Sequence, residues 1–361
     1  MKHIDEYRDG ELIRPLVAEL RQSLTRPVRL MEVCGTHTMA IFRSGIRSIL
    51  PEAMEIVSGP GCPVCVTSAS HMDAFIAMAE IPGVRVAIFG DLFRVPGSSG
   101  SLANAAARGA QVEVVYSPMD ALELATRHPA ELVVFLGVGF ETTTPGIAAT
   151  ILAAAKDAVD NFCVFSTQKV IPGPLEALMQ DPDLNINALL CPGHVSAIIG
   201  AGAYQPFADR GLACVVAGFE PADLLNGLIM LARQIAEGRP KVENLYPRVV
   251  SWEGNGRARA MVEEIFEPVD TEWRGLGFIE RSGLAIRDKY GRYDALKRLD
   301  ITIPASAEPK GCLCGEILKG KTIPPHCPLF GSRCTPANPV GPCMVSSEGT
   351  CAAYHKYGQE T

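Results

Sequence analysis

From residue 28 to residue 240 the chain alternates short β-prone apolar runs with helix-periodic stretches over links of a few residues, and few folds accept that order. The runs cover 28–33, 55–58, 84–90, 112–116, 131–138, 162–166, 188–190 and 213–217; helical periodicity covers 39–50, 68–79, 101–108, 119–127, 147–158, 174–179, 197–201 and 221–237. Strands joined through helices over short links form βαβ units, so the alternation predicts parallel sheets covered on both faces. It restarts near residue 119. The expected fold class is therefore α/β, with two similar Rossmann-like parallel-sheet domains, 28–118 and 119–240, facing a shared cleft. Ahead of them, apolar Ile4, Tyr7, Leu12, Leu16, Val17, Leu20 and Leu24 predict a helical segment within 1–27, broken at Gly10 and Pro15. After Gly238 both tryptophans, Trp252 and Trp273, appear and a helix is expected over 257–266. Beyond residue 303 eight prolines leave little regular structure. The block 241–361 is expected to be a smaller C-terminal domain.

A length of 361 residues suits two or three domains, and 47% hydrophobic residues can fill their cores. No apolar run reaches the roughly 18 residues of a membrane span. The opening MKHIDEYRDGELIRPL scatters charge where an export signal would be apolar, so a cytoplasmic protein without membrane attachment is expected. A net charge of -7 and a pI near 5.6 argue against the clustered Lys and Arg of a nucleic-acid surface. Partners are then proteins or small molecules. Twelve cysteines in a reducing compartment point to metal, cluster or catalytic redox chemistry. Cys163 and Cys214, single in apolar surroundings, read as core residues.

The other cysteines gather at loops. In 55–67, EIVSGPGCPVCVT, an apolar strand stops at a glycine and proline turn and delivers Cys62 and Cys65. Such a pair closes a small disulfide or supplies thiolates at a helix N-terminus, where the dipole lowers a thiol pKa. Half a zinc site or two inert thiols are the alternatives; Pro63 and the preceding strand favour redox chemistry. CGTHT puts Cys34 and His37 on a turn after a strand, where an exposed thiolate can bind a soft metal with the imidazole as base or co-ligand. A buried Cys beside a capping Thr is the other reading. CPGHVS repeats the spacing with Cys191 and His194, and GFETTTPG offers Glu141, Thr142, Thr143 and Thr144 as ligand contacts or helix caps. These loops follow strands, on the edge where open α/β sheets bind ligands. No GxGxxG or phosphate loop follows any strand, so a nucleotide site has no support. In the tail, Cys312, Cys314, Cys327, Cys334, Cys343 and Cys351 have 1, 12, 6, 8 and 7 residues between them. Zinc sites use tight pairs, so the irregular spacing favours an iron-sulfur cluster, without saying which four cysteines bind it.

CGTHT, GPGCPVC, GFETTTPG and PGHVSAIIG, in this order and followed by C-x14-C-x6-C-x16-C at Cys312, Cys327, Cys334 and Cys351, closely resemble the HypD family of nickel-iron hydrogenase maturation proteins. The resemblance runs from about residue 28 to the end. It implies a C-terminal domain with a 4Fe-4S cluster on those four cysteines. It also implies a scaffold that, with a HypC-type small chaperone, holds an iron while two cyanides and one carbon monoxide are attached, the cyanides arriving from a HypE-type carrier. On this reading Cys34 is the iron thiolate and His37 its neighbour. Cys62 and Cys65 switch between dithiol and disulfide, and Cys314 with Cys343 form a second pair between cluster and cleft. Asp91, Thr142, Thr143, His194 and Glu348 are polar candidates around the cleft or the relay. Two other functions stay open. One is a thiol-disulfide reductase driven by an iron-sulfur cluster, which needs neither Cys34 nor His37; the other is a zinc-stabilised interaction module with inert thiols.

Overall fold

The computed structural model describes residues 10–358. Its strands are β1 (Val28–Glu32), β2 (Met54–Ser58), β3 (Val84–Ile88), β4 (Gln111–Val114), β5 (Leu132–Gly139), β6 (Phe162–Lys169), β7 (Ala188–Pro192), β8 (Ala213–Ala217), β9 (Val242–Asn244), β10 (Phe266–Trp273) and β11 (Gly277–Ile286). A first sheet has the order β2-β1-β7-β8-β9 and is parallel throughout. The second has the order β10-β11-β6-β5-β3-β4, parallel except for the β10–β11 hairpin and its junction with β6. Central strands of covered parallel sheets are buried on both faces and so are apolar nearly throughout, as LVVFLGV in β5 and ACVVA in β8 are. The mixed α/β architecture with parallel-dominated sheets is the one expected from the alternation.

Sheet membership, however, does not follow the blocks 28–118 and 119–240. β1 and β2 pair into the sheet of β7, β8 and β9, whereas β3 to β6 build the other. Each block therefore gives strands to both sheets. Strand and helix alternation cannot reveal this, because pairing depends on which apolar faces cover one another. The first passage between sheets, residues 59–83, contains Cys62 and Cys65.

Local signals explain most element ends. Ser101 and Ser117 close capping boxes with Asn104 and Asp120. Helix Pro221–Glu237 starts on Pro221, stops at Gly238 with φ +63°, and packs on the first sheet and on helix Gly10–Ser23. That first helix runs through Pro15 without the expected break; the ring removes only the bond its N–H would have given to residue 11, in the opening turns. Ile4 and Tyr7 lie outside the described residues. The helix expected over 39–50 is two, Gly35–Arg43 and Ile46–Ile49, because Gly45 takes φ +69° between them. The β10–β11 hairpin was not anticipated. Pro268 sits in β10, an edge strand, where a missing N–H can be tolerated. The tail also keeps more order than its prolines suggested: Thr350–Tyr357 is a helix, and its Tyr354 ring meets Phe42 edge-on at 4.6 Å. No described helix is long and apolar enough to cross a membrane.

The hairpin anchors the tail. Arg274 N donates to Val66 O at 2.9 Å and its Nε to Thr67 O at 2.8 Å, just after the Cys62–Cys65 turn. Gly275, at φ +78°, then approaches Gly315 so closely that a Cβ on it would lie 2.2 Å from the Gly315 Cα. Gly275→Ala is expected to cost about 3 kcal/mol through this clash and the left-handed backbone. The measurements are the urea midpoint and the rate of proteolysis near residue 315; wild-type values for both would show that the contact is dispensable.

Candidate functional site

β1 ends at Glu32, and the chain turns through Cys34 into helix Gly35–Arg43, so Cys34 stands at the helix N-cap on the carboxyl edge of the first sheet. The turn leans on the glycine and proline loop after β2. Gly59 N donates to Glu32 O at 2.8 Å and Gly35 N to Gly61 O at 3.0 Å. Only glycine fits at 61, where a Cβ would lie 2.2 Å from Cys34 N. Glu32, buried in an otherwise apolar strand, accepts hydrogen bonds from Cys34 N at 3.2 Å and from Thr38 Oγ1. On the other side the Thr36 hydroxyl donates to the Glu348 carboxylate.

These neighbours decide the protonation of Cys34, which is buried rather than exposed as expected. Burial pushes the thiol up to about 12, the Glu348 and Glu32 charges push the same way, and the His37 and Thr36 backbone N–H groups offset only part. Burial also lifts Glu32 to about 7. His37 is fully buried, and desolvation lowers it to about 4, so it is neutral. Its Nε2 donates to Gly218 O at 3.0 Å, which leaves Nδ1 as an acceptor without a partner.

The second Cys-x-x-His stretch lies beside the first, because β7 pairs with β1. Its two residues separate. Cys191 lies inside β7, fully buried, with its thiol donating to Leu189 O at 3.8 Å. His194 is exposed and stacks on Phe219 at 4.0 Å, while His37 meets the same ring at 4.8 Å. Phe219 thus spaces the two imidazoles.

Cys62 and Cys65 form a disulfide. The pair occupies the turn ahead of helix Ala69–Ala79, whose N-cap is Ser68, and not the helix N-terminus itself. Ser346 Oγ lies 3.4 Å from Cys62 Sγ and donates to Asp91 Oδ2 at 3.1 Å. Asp91 also accepts from Ser347 N at 2.9 Å and Ser347 Oγ at 2.8 Å. Residues 346–348 therefore join Asp91, the disulfide and Thr36. A few residues upstream, Cys343 Sγ is 3.0 Å from Cys314 Sγ, both as free thiols. The Cys343 thiol holds Cys314 below its usual pKa, and Cys343 is itself driven up. All six tail cysteines line one small cavity.

GFETTTPG lies at the end of β5 in the second sheet. Thr143 and Thr144 donate to Phe140 O and to Gln168 Oε1, Thr142 is exposed, and Glu141 is buried. The hydroxyls hold this loop to β6 and make no cap bond to helix Thr144–Lys156. Glu32, Gly61, Phe219 and Ser346 were not singled out from the sequence. Glu32 carried a signal, an acid inside the apolar run VRLMEV; the others are ordinary residues until the fold assembles them.

Burial raises Glu141 to about 7. Below its unfolded pKa of about 4.5 both states are protonated and nothing changes. Between about 4.5 and 7 the unfolded chain releases the proton first, so rising pH destabilises the fold, and above 7 the effect is constant. Relative to Glu141→Gln, wild type should lose up to about 3 kcal/mol across that window. Urea unfolding of both proteins at several pH values checks this; a pH-independent difference would place the group outside the core.

The HypD family, described as the hydrogenase formation hypA family, matches residues 11–358. The hydrogenase maturation factor HypD of Rhodobacter capsulatus is 45% identical, aligned over 99% of this chain and 98% of that protein. Its counterpart of the same name in Escherichia coli (strain K12) is 46% identical over 100% of this chain and 99% of its own. The hydrogenase expression/formation protein HupD of Azotobacter chroococcum mcd 1 is 44% identical over 100% and 98%. With a match over nearly the whole chain, this protein belongs to the HypD family of hydrogenase maturation factors.

Proposed function

We propose that the protein is the cytoplasmic scaffold on which the Fe(CN)2CO group of nickel-iron hydrogenase is assembled, together with a HypC-type chaperone and a HypE-type cyanide carrier. The observation that supports this best is the continuity of the site: the Cys34 turn, the Cys62–Cys65 disulfide and the Cys314 and Cys343 thiols all adjoin one stretch of tail, 343–348. Iron is the cargo. A buried thiol between two carboxyl groups keeps its proton, and it exchanges that proton for a cation, because positive charge favours the thiolate and both carboxylates together. Thiolate is also a soft donor, suited to ferrous iron that carries cyanide and carbon monoxide.

The tail suits a cluster more than a single ion. Among the described residues no three His, Cys, Asp or Glu converge as a metal ion requires. Instead the thiols surround a void walled by Ile317, Leu329, Phe330 and Met344, and Val340 N donates to Cys334 Sγ at 3.3 Å. Separated thiolates with N–H donors and apolar walls fit a multi-iron centre. Cys312, Cys327, Cys334 and Cys351 would hold a 4Fe-4S cluster, which supplies electrons one at a time. Cys314 and Cys343 then act as a dithiol. In exchange with the other pair they give up two electrons and two protons and become a disulfide, while Cys62–Cys65 opens to two thiols. A thiol-disulfide reductase would use the same pairs, but it has no need of the group formed by Glu32, Cys34 and Glu348, which favours the scaffold.

Cys34→Ser is expected to fold, keep its tail iron and lack the infrared bands of bound cyanide and carbon monoxide when isolated anaerobically with the small partner. Bands at wild-type intensity would place the iron elsewhere. Serine at Cys312, Cys327, Cys334 or Cys351 should lower the iron content of the isolated protein; full iron in any one of these variants removes that residue from the cluster set.

A further inference from the structure

The relay proposed above returns to its starting state only when electrons enter the tail. Opening Cys62–Cys65 leaves Cys314 and Cys343 as a disulfide, and its return to two thiols takes two electrons from the cluster and two protons from water. The cluster regains those electrons from an outside donor, which has to come close to it. Of the six tail cysteines five are buried and Cys312 alone is half-buried, so the cluster site comes nearest to solvent at the Cys312 loop. That loop meets the turn leading from Cys327 to Cys334: Cys327 Sγ lies 3.9 Å from Gly311 O, and a Cβ on Gly311 would touch the Leu329 side chain at 3.9 Å. Cys334 N donates to Leu329 O at 2.7 Å and Gly331 N to Cys334 O at 3.1 Å, which holds the turn closed. Leu329 and Phe330 wall the thiol cavity and are themselves half-buried, beside exposed Gly311 and Gly331. The rim is therefore apolar.

Charge on this face runs against that of the molecule. From Lys310 to Ser347 the sequence carries Lys310, Lys319, Lys321 and Arg333 against the one acid Glu316, in a chain of net charge -7. The carboxylates nearby are engaged: Glu308 with Arg274, Glu316 with Lys319 at 2.9 Å and Asp181 with Lys321 at 2.6 Å. Lys310 and Arg333 are exposed, and among the described residues neither has a carboxylate partner. One lies two residues before Cys312 and the other directly before Cys334. Two uncompensated cations thus sit on the two adjoining loops that carry thiols of the cluster site.

We propose that this face, with Lys310 and Arg333 on the loops around the Leu329 and Phe330 edge, is the docking surface for an acidic one-electron carrier protein. The inference rests on the cluster assigned above. Opposite charge steers the encounter and sets its orientation, and a small apolar edge gives the limited contact area of a transient electron-transfer complex. Each encounter moves one electron from the reduced carrier to the cluster, and the carrier leaves oxidised by one electron. Two encounters restore the Cys314 and Cys343 dithiol.

The test mixes the full-length protein, isolated anaerobically, with fully reduced flavodoxin, an acidic carrier, and follows the flavin absorbance in the red as the carrier is oxidised; calorimetric titration with oxidised flavodoxin measures binding. Transfer and binding should both weaken at least about tenfold from low to high salt, because salt screens exposed charges. Lys310→Glu combined with Arg333→Glu should lower both by at least about tenfold at low salt. Arg127→Glu combined with Lys156→Glu, a matched reversal on helices outside the tail, should leave both as in wild type. The methyl viologen radical cation, which needs no basic face, should reduce the tail variant at least as fast as wild type and so show that its cluster is intact. Salt dependence requires no variant, and it decides the matter if the tail variant does not fold. The proposal alone is overturned if the iron-loaded protein neither binds nor is reduced by flavodoxin, if salt has no effect, or if the tail reversal behaves like the matched one. A protein isolated anaerobically without iron overturns the cluster assignment, and this inference with it.

Discussion

The burial of Cys34 between two carboxyl groups is the constraint on which the rest of this structure depends. Burial above all, and then Glu348 reaching it from the tail and Glu32 beneath the turn, keep the thiol protonated. The thiol as it stands is neutral, and its surroundings depend on both carboxyl groups remaining in place. That arrangement requires a distant piece of chain to return to the first sheet. Residues 346–348 do so through hydrogen bonds to side chains and backbone, with little apolar area of their own.

The same three residues also join the two sheets. Thr36 follows β1 of the first sheet, and Asp91 follows β3 of the second, yet both bind this one stretch of tail. The Cys62–Cys65 turn lies on the passage between the sheets and touches Ser346. The disulfide therefore lies where both sheets and the tail meet. The chain threads first sheet, second sheet, first sheet and then the hairpin of the second, so neither sheet can complete itself from contiguous residues. Close backbone contacts such as Gly61 on Cys34 and Gly275 on Gly315 set the spacing of these parts. Side-chain repacking cannot substitute for them, because backbone meets backbone.

Much of this was legible from residue order alone. Periodicity located nearly every strand and helix from β1 to helix Pro221–Glu237, because covered parallel strands must be apolar along their whole length and helices must repeat near 3.6. Loop residue types singled out Cys34, His37, Cys62, Cys65 and the tail cysteines, since thiols and imidazoles in loops after strands bring donor chemistry to the edge of a sheet. The hairpin β10–β11 was not legible: a half-exposed edge strand with Pro268 and three acidic residues carries no strong strand signal.

What the sequence by itself determined was the kind of element at each place and the chemistry available in each loop, because both follow from local sterics, hydrophobic period and side-chain type. What only the tertiary structure decided was partnership. It paired β1 with β7 and so set His37 and His194 on one phenyl ring; it placed Cys191 inside a strand and left Cys34 on the edge; and it brought Glu348 to a turn more than three hundred residues away. Such choices depend on which surfaces bury each other best across the whole chain, a sum over long-range contacts that no short stretch of residues contains.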